Sequence, residues 1–131
     1  MISNTKLQAA IQLAQQVTEN AYVPYSNYAV GAALVSHDGD TFTGCNVENA
    51  SFPATICAER TALVKAISAG VREFDLIVVA TRDGGSPCGI CRQMLYEFAP
   101  TLRVVTIDSE GTIHLDTTLD KLLAHGFDSL L

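Results

Sequence analysis

Basic residues are scarce in this chain, and that scarcity already excludes a class of function. Eight Lys and Arg are scattered among fourteen Asp and Glu, for a net charge of −6 over 131 residues. No basic run exists that could follow a phosphate backbone, so no nucleic-acid partner is expected. Long apolar runs are also missing: nothing approaches the roughly 20 apolar residues that span a bilayer, and no membrane partner is expected. Met1–Gln8 lacks the apolar centre of a signal peptide, which points to a cytoplasmic location. There is no internal repeat, low-complexity tract or linker. Cysteine is limited to four residues. In a chain of that expected location, they suggest metal binding or catalysis more than disulfides.

What is present fits a single domain over residues 1–131, since hydrophobic residues make up 48% of the chain. Leu7, Ala10, Ile11, Ala14 and Val17 recur at helical spacing behind Asn4 or Thr5 as caps. Tyr28 to Ser36 reads as a buried strand. His37-Asp38-Gly39-Asp40 reads as a hairpin turn, and Thr41 to Asn46 as the returning strand. A helix from about Cys57 carries Ala62, Leu63, Ala66 and Ile67 inward and stops at Gly70. The run Leu76-Ile77-Val78-Val79 predicts a strand buried on both faces. A helix from Cys88 to Phe98 follows, with Ile90, Met94, Leu95 and Phe98 expected inward. Leu102 to Ile107 is the next strand, and Thr112 to Leu115 should return antiparallel to it. Leu119, Leu122 and Leu123 suggest a short last helix. The order α-β-β-α-β-α-β-β-α predicts an α/β fold, a three-layer α/β/α sandwich with a mixed five-stranded sheet. Its two central β-α-β units should be parallel and right-handed.

Two short blocks carry the chemistry: Cys57-Ala58-Glu59-Arg60 and Pro87-Cys88-Gly89-Ile90-Cys91. Each is placed where a helix begins beyond a strand or loop, the usual ligand position in such sheets. Helix N-termini favour thiolate over thiol. Cys57, Cys88 and Cys91 offer three thiolates to one zinc ion per chain, leaving a position for water, as catalytic sites do. Glu59, two residues from a ligand, can reach that water as a general base. Three thiolates against a divalent ion leave a net −1, which Arg60 could relieve by donating to the sulfurs. Two rival readings remain at this level. Cys45 could close a structural four-cysteine site, although the role of a small buried thiol suits it better. Cys88-Gly89-Ile90-Cys91 could be a dithiol redox pair, which leaves Cys57 and Glu59 unexplained. Upstream, Asn46, Glu48 and Asn49 place polar groups before the cysteine block. The asparagines suit turn chemistry, while Glu48, less usual in a turn, could accept from sugar hydroxyls beside a metal pocket. Tyr28 and Phe52 could wall a pocket against a flat ring or pack in a core or interface.

Taken together, these blocks resemble the small homotetrameric zinc-dependent cytidine deaminases. The likeness runs from about Ala21 to Phe127. It rests on Tyr25-Ser26, Val30-Gly31-Ala32-Ala33-Leu34, Gly44-Cys45-Asn46-Val47-Glu48-Asn49-Ala50, Cys57-Ala58-Glu59-Arg60-Thr61-Ala62 and Ser86-Pro87-Cys88-Gly89-Ile90-Cys91-Arg92-Gln93. The resemblance implies a cytidine deaminase-like fold, zinc on Cys57, Cys88 and Cys91, and proton transfer by Glu59. It also implies a small-molecule nucleoside substrate, held by Asn46 and Glu48 at the ribose, with Tyr28 and Ala58 near the base. It further implies a homotetramer with shared active sites, to which Phe52 and Phe127 would contribute. Tyr28 stands where that family usually has Phe, and Leu122-Leu123-Ala124 where Leu-Leu-Pro is usual. The blasticidin S deaminase type shares the zinc blocks but lacks the Asn-x-Glu-Asn-Ala run. Guanine, free-cytosine and tRNA-editing deaminases usually carry His in place of Cys57. The expected reaction is hydrolytic deamination of cytidine and 2′-deoxycytidine to uridine and 2′-deoxyuridine, with release of ammonia.

Overall fold

Helix α1, Asn4–Val17, starts one residue earlier than the sequence suggested, because Ser3 is the cap and its hydroxyl accepts from the Lys6 amide. One face of α1 buries Leu7, Ala10, Ile11 and Ala14. The structure, a computed structural model, describes residues 2–128, so Met1 and residues 129–131 of the expected 1–131 domain lie outside the description. After a 3-10 turn at Thr18–Asn20 come β1 (Gly31–Ser36) and β2 (Thr41–Cys45), joined by a hairpin in which Gly39 takes φ +94°. That left-handed conformation is the one glycine adopts freely. A second 3-10 turn at Phe52–Ala54 leads to α2 (Ala58–Ser68), β3 (Phe74–Ala80), α3 (Gly89–Phe98), β4 (Arg103–Ile107), β5 (Ile113–Thr118) and α4 (Leu119–Leu122).

The five strands lie in the order β2-β1-β3-β4-β5. Only β3 and β4 pair in parallel, with Val78 opposite Val105; the other three pairings are antiparallel. The expected parallel β-α-β units are present in direction, since β2 and β3 both run antiparallel to β1. The first crossover, through α2, passes over β1 instead of joining neighbours. The strand alternation of period two divides the core. Ala33, Val35, Leu76, Val78 and Val105 face α1. Ala32, Leu34, Ile77, Val79 and Val104 face Leu63 and Ala66 of α2, Leu95 of α3 and Leu119 of α4. This is the predicted mixed sheet between helical layers.

Two further differences from the sequence reading, a strand start and a helix phase, have physical reasons. The strand expected from Tyr28 begins only at Gly31, because the Asn46 side chain takes the backbone groups before it. Asn46 Nδ2 donates to Tyr28 O at 2.8 Å, and Val30 N donates to Asn46 Oδ1 at 2.9 Å. Helix α3 is also turned by about one residue. Cys91 and Leu95 are its buried positions, while Ile90 is 62% exposed and Met94 also reaches the surface. Cys91 sets this phase, because its sulfur must face the Cys57 and Cys88 sulfurs. One close approach fixes where α2 starts: a Cβ on Gly44 of β2 would lie 2.5 Å from Ala62 N and 2.6 Å from Ala58 O.

Candidate active site

Helices α2 and α3 both begin on a cysteine, in extended backbone conformation (φ −72°, ψ 154° at Cys57; φ −69°, ψ 166° at Cys88). Their carbonyls accept the first helical bonds, from Thr61 N and Arg92 N, each at 3.0 Å. Neither cysteine side chain caps its own helix, so both sulfurs point to a common centre. Cys91, one turn into α3, supplies the third. The three Sγ atoms lie within 4.8 Å of one another, and those of Cys57 and Cys88 are 3.8 Å apart. A tetrahedral ion with bonds of about 2.3 Å has ligand edges of about 3.8 Å. The donor set therefore fits zinc, in both atom type and spacing. Cys45 is not part of this group, which leaves a fourth position for something other than sulfur.

The Cys57 and Cys91 thiols lie in unequal electrostatic surroundings. Cys57 is pulled below the usual thiol range by hydrogen bonds from Cys91 first, then from Arg60 and Cys88. Cys91 is pushed up by its bond to Cys57 and by burial. The Cys57 charge disfavours ionisation of Cys91 beside it, and a cation held between the two sulfurs would oppose that repulsion. Arg60 Nη2 sits 3.5 Å from Cys57 Sγ and 3.3 Å from Thr55 O. Glu59, on the first turn of α2, is 4% exposed. Burial raises its pKa to about 7, assisted by the neighbouring Cys57 charge.

The cluster opens into a cavity of about 270 Å³. Of the residues expected at the site, Tyr28, Asn46, Glu48, Cys57, Ala58, Glu59 and Cys88 line it. Asn46 holds the 28–30 segment, as described above. Glu48 accepts from Tyr25 N at 3.0 Å, Ser26 N at 3.1 Å and the Ser26 hydroxyl. The Ser26 hydroxyl bond, with help from the two amides, holds its carboxyl below the usual range. Phe52 and Phe127 do not line this cavity and stand 75% and 80% exposed. Gln93 clasps the Phe127 backbone on both sides.

Sequence reasoning missed several wall residues. Thr55 contributes a buried hydroxyl with no protein partner among the described residues. Thr81, Gly85 and Ser86 form the wall on the β3–α3 side. Arg92 was quoted only within a motif, yet it braces the metal loop. Its guanidinium donates to Pro87 O at 2.8 Å, Ser86 Oγ at 2.7 Å and Leu122 O at 2.7 Å. Only its place one residue after a ligand could have signalled this.

Comparison with known proteins adds to this geometry. A family model described as "Cytidine and deoxycytidylate deaminase zinc-binding region" matches residues 4–107. The chain is similar to a cytidine deaminase of Sporosarcina psychrophila, 48% identical over 116 residues, covering 86% of this chain and 85% of that one. It is similar to the crystal structure of a cytidine deaminase from Burkholderia pseudomallei, with a TM-score of 0.88 and 46% identity, covering 96% and 100% of the two chains. A blasticidin-S deaminase of Bacillus cereus is more distant, 29% identical over 128 residues, covering 88% and 90%.

Proposed function

Because the chain belongs to the cytidine and deoxycytidylate deaminase zinc-binding family, we propose that it converts cytidine and 2′-deoxycytidine, with water, to the uridine counterparts and ammonia. The observation that carries this reading is the buried Glu59 beside three converging sulfurs, with Glu59, Cys57 and Cys88 lining one cavity. Zinc held by Cys57, Cys88 and Cys91 would supply Lewis-acid activation of water near neutral pH. The remaining work falls to the chain's own groups. Glu59, with a pKa of about 7 in the metal-free chain, is matched to taking and giving protons at neutral pH. It takes one from the attacking water and delivers it to ring N3, and it moves a second to the departing amine. Arg60 draws charge from the sulfurs. Ala58 adds an apolar surface beside Glu59, and Tyr28 forms a wall for the base.

Glu48 and Asn46 both line the cavity, which supports the reading that they meet the ribose. A carboxylate already held ionised by Ser26 and two backbone amides is a strong acceptor for sugar hydroxyls. Nucleosides should therefore be favoured over free cytosine. The identity gap between the cytidine and blasticidin-type relatives supports the same choice. Ammonia release measured across cytidine, deoxycytidine, cytosine and blasticidin S tests this reading. Turnover of the two nucleosides is expected, whereas a preference for cytosine or for the antibiotic would overturn it.

A further inference from the structure

We propose that Asp83 is a positioning residue for the substrate, fixing the Tyr28 ring in the cavity wall through its hydroxyl. Asp83 does not line the cavity; Tyr28 does. The two are 55 residues apart in sequence, yet Tyr28 Oη donates to Asp83 Oδ1 at 2.5 Å. The same oxygen accepts from Thr81 Oγ1 at 3.2 Å. The Thr81 hydroxyl in turn accepts from Gly84 N at 2.8 Å and Gly85 N at 2.9 Å, so the acceptor sits on a loop folded around one side chain. On the other side, the Arg82 guanidinium carbon lies over the Tyr28 ring, 4.8 Å from its centre. The ring is thus held at its tip by one loop residue and over its face by the residue before it. Gly85 leaves the room this needs: a Cβ there would come within 2.9 Å of the Tyr28 hydroxyl.

The protonation states suit a standing bond. Asp83 is held below the usual carboxylate range, by the Tyr28 hydroxyl above all. Tyr28 is pushed above the usual phenol range, by burial first and then by Asp83. Donor and acceptor therefore keep their roles across the neutral range. An unanchored ring would rotate about its side-chain bonds, and a substrate would have to order it on binding. The cost would fall on substrate affinity and not on the proton transfers at Glu59.

This rests on the cytidine reading above, and cytidine kinetics test both. Losing one such bond corresponds to about a 3- to 10-fold effect. Asp83→Ala should raise KM for cytidine about 3- to 10-fold, with kcat within about twofold and zinc content unchanged. Asp83→Asn, which keeps an acceptor oxygen for the hydroxyl, should restore most of the loss. Tyr28→Phe should raise KM similarly, and Asp83→Ala should add little on top of it. Three results would overturn the role: a parental KM in Asp83→Ala, additive effects in the double variant, or loss of activity in step with loss of zinc. A parent enzyme inert towards cytidine would instead overturn the functional reading, and this role with it.

Discussion

At residue 59 a carboxyl group is sealed beneath a helix start and its pKa is raised to about 7. Glutamine there keeps the shape and removes the proton traffic. Glu59→Gln should retain zinc and lose activity by 10²-fold or more in a steady-state assay, since it ends both transfers assigned to this group. The same substitution should make the metal-free protein more resistant to heat. A folded-state pKa above the unfolded value means the folded chain binds more protons, so stability falls as pH rises from the ordinary glutamate range through about 7. The gain from glutamine should be small near pH 4 and reach about 2–3 kcal/mol by pH 8, readable from paired melting curves. A gain equal at both pH values would mean that Glu59 is not held as described. Metal content separates the cysteines in a similar way. Cys88→Ala should abolish stoichiometric zinc, while Cys45→Ala should keep it, because the Cys45 sulfur is not in the cluster. Loss in both variants would restore the closed four-cysteine site.

Among the elements, the start of α2 shows how far a ligand depends on a distant strand. Gly44 lets α2 lie directly against β2, with its backbone where a side chain would be. Gly44→Ala should cost about 3 kcal/mol or more, as overpacking against backbone does, and should lower zinc occupancy together with the melting temperature. The position of α2 was legible in the sequence, because a helix start and its cysteine are local features. So were the five strands and the grouping of Cys57, Cys88 and Cys91. The phase of α3 was not. Ile90 and Met94 look like core residues by hydropathy, but the need to aim Cys91 at Cys57 overrides that signal. Tyr28 to Val30 were read as strand for a related reason: Tyr28 O and Val30 N bond to the side chain of Asn46, which hydropathy does not register. The Tyr28–Asp83 and Arg92–Leu122 contacts join residues 55 and 30 positions apart, and nothing local announces them.

For the molecule as a whole, the unspent feature is apolar surface. Phe52 and Phe127 are largely exposed, and Tyr22, Tyr25, Ile56 and Ile90 join them at the surface. Exposed apolar surface of this kind is what an interface between chains would cover. It supports the proposal that copies of this chain assemble as a homotetramer, with Phe52 and Phe127 reaching neighbouring sites. Sedimentation should then give about four times the 14.0 kDa chain mass. Phe52→Ala should reduce cytidine turnover without reducing zinc, and a fully active monomer would refute the shared site. The sulfur cluster also bears on how the protein must be handled. Two sulfurs 3.8 Å apart, one of them drawn towards thiolate by its neighbours, need little movement to close to the roughly 2.05 Å of a covalent bond. Chelation in air should therefore let dissolved oxygen remove two electrons and two protons from the pair. Titratable thiols would drop from four per chain to two, and added zinc would fail to revive the protein until a reductant reopened the bond. Purification with a chelator but no reductant would yield a folded protein that looks inactive for reasons unrelated to its sequence.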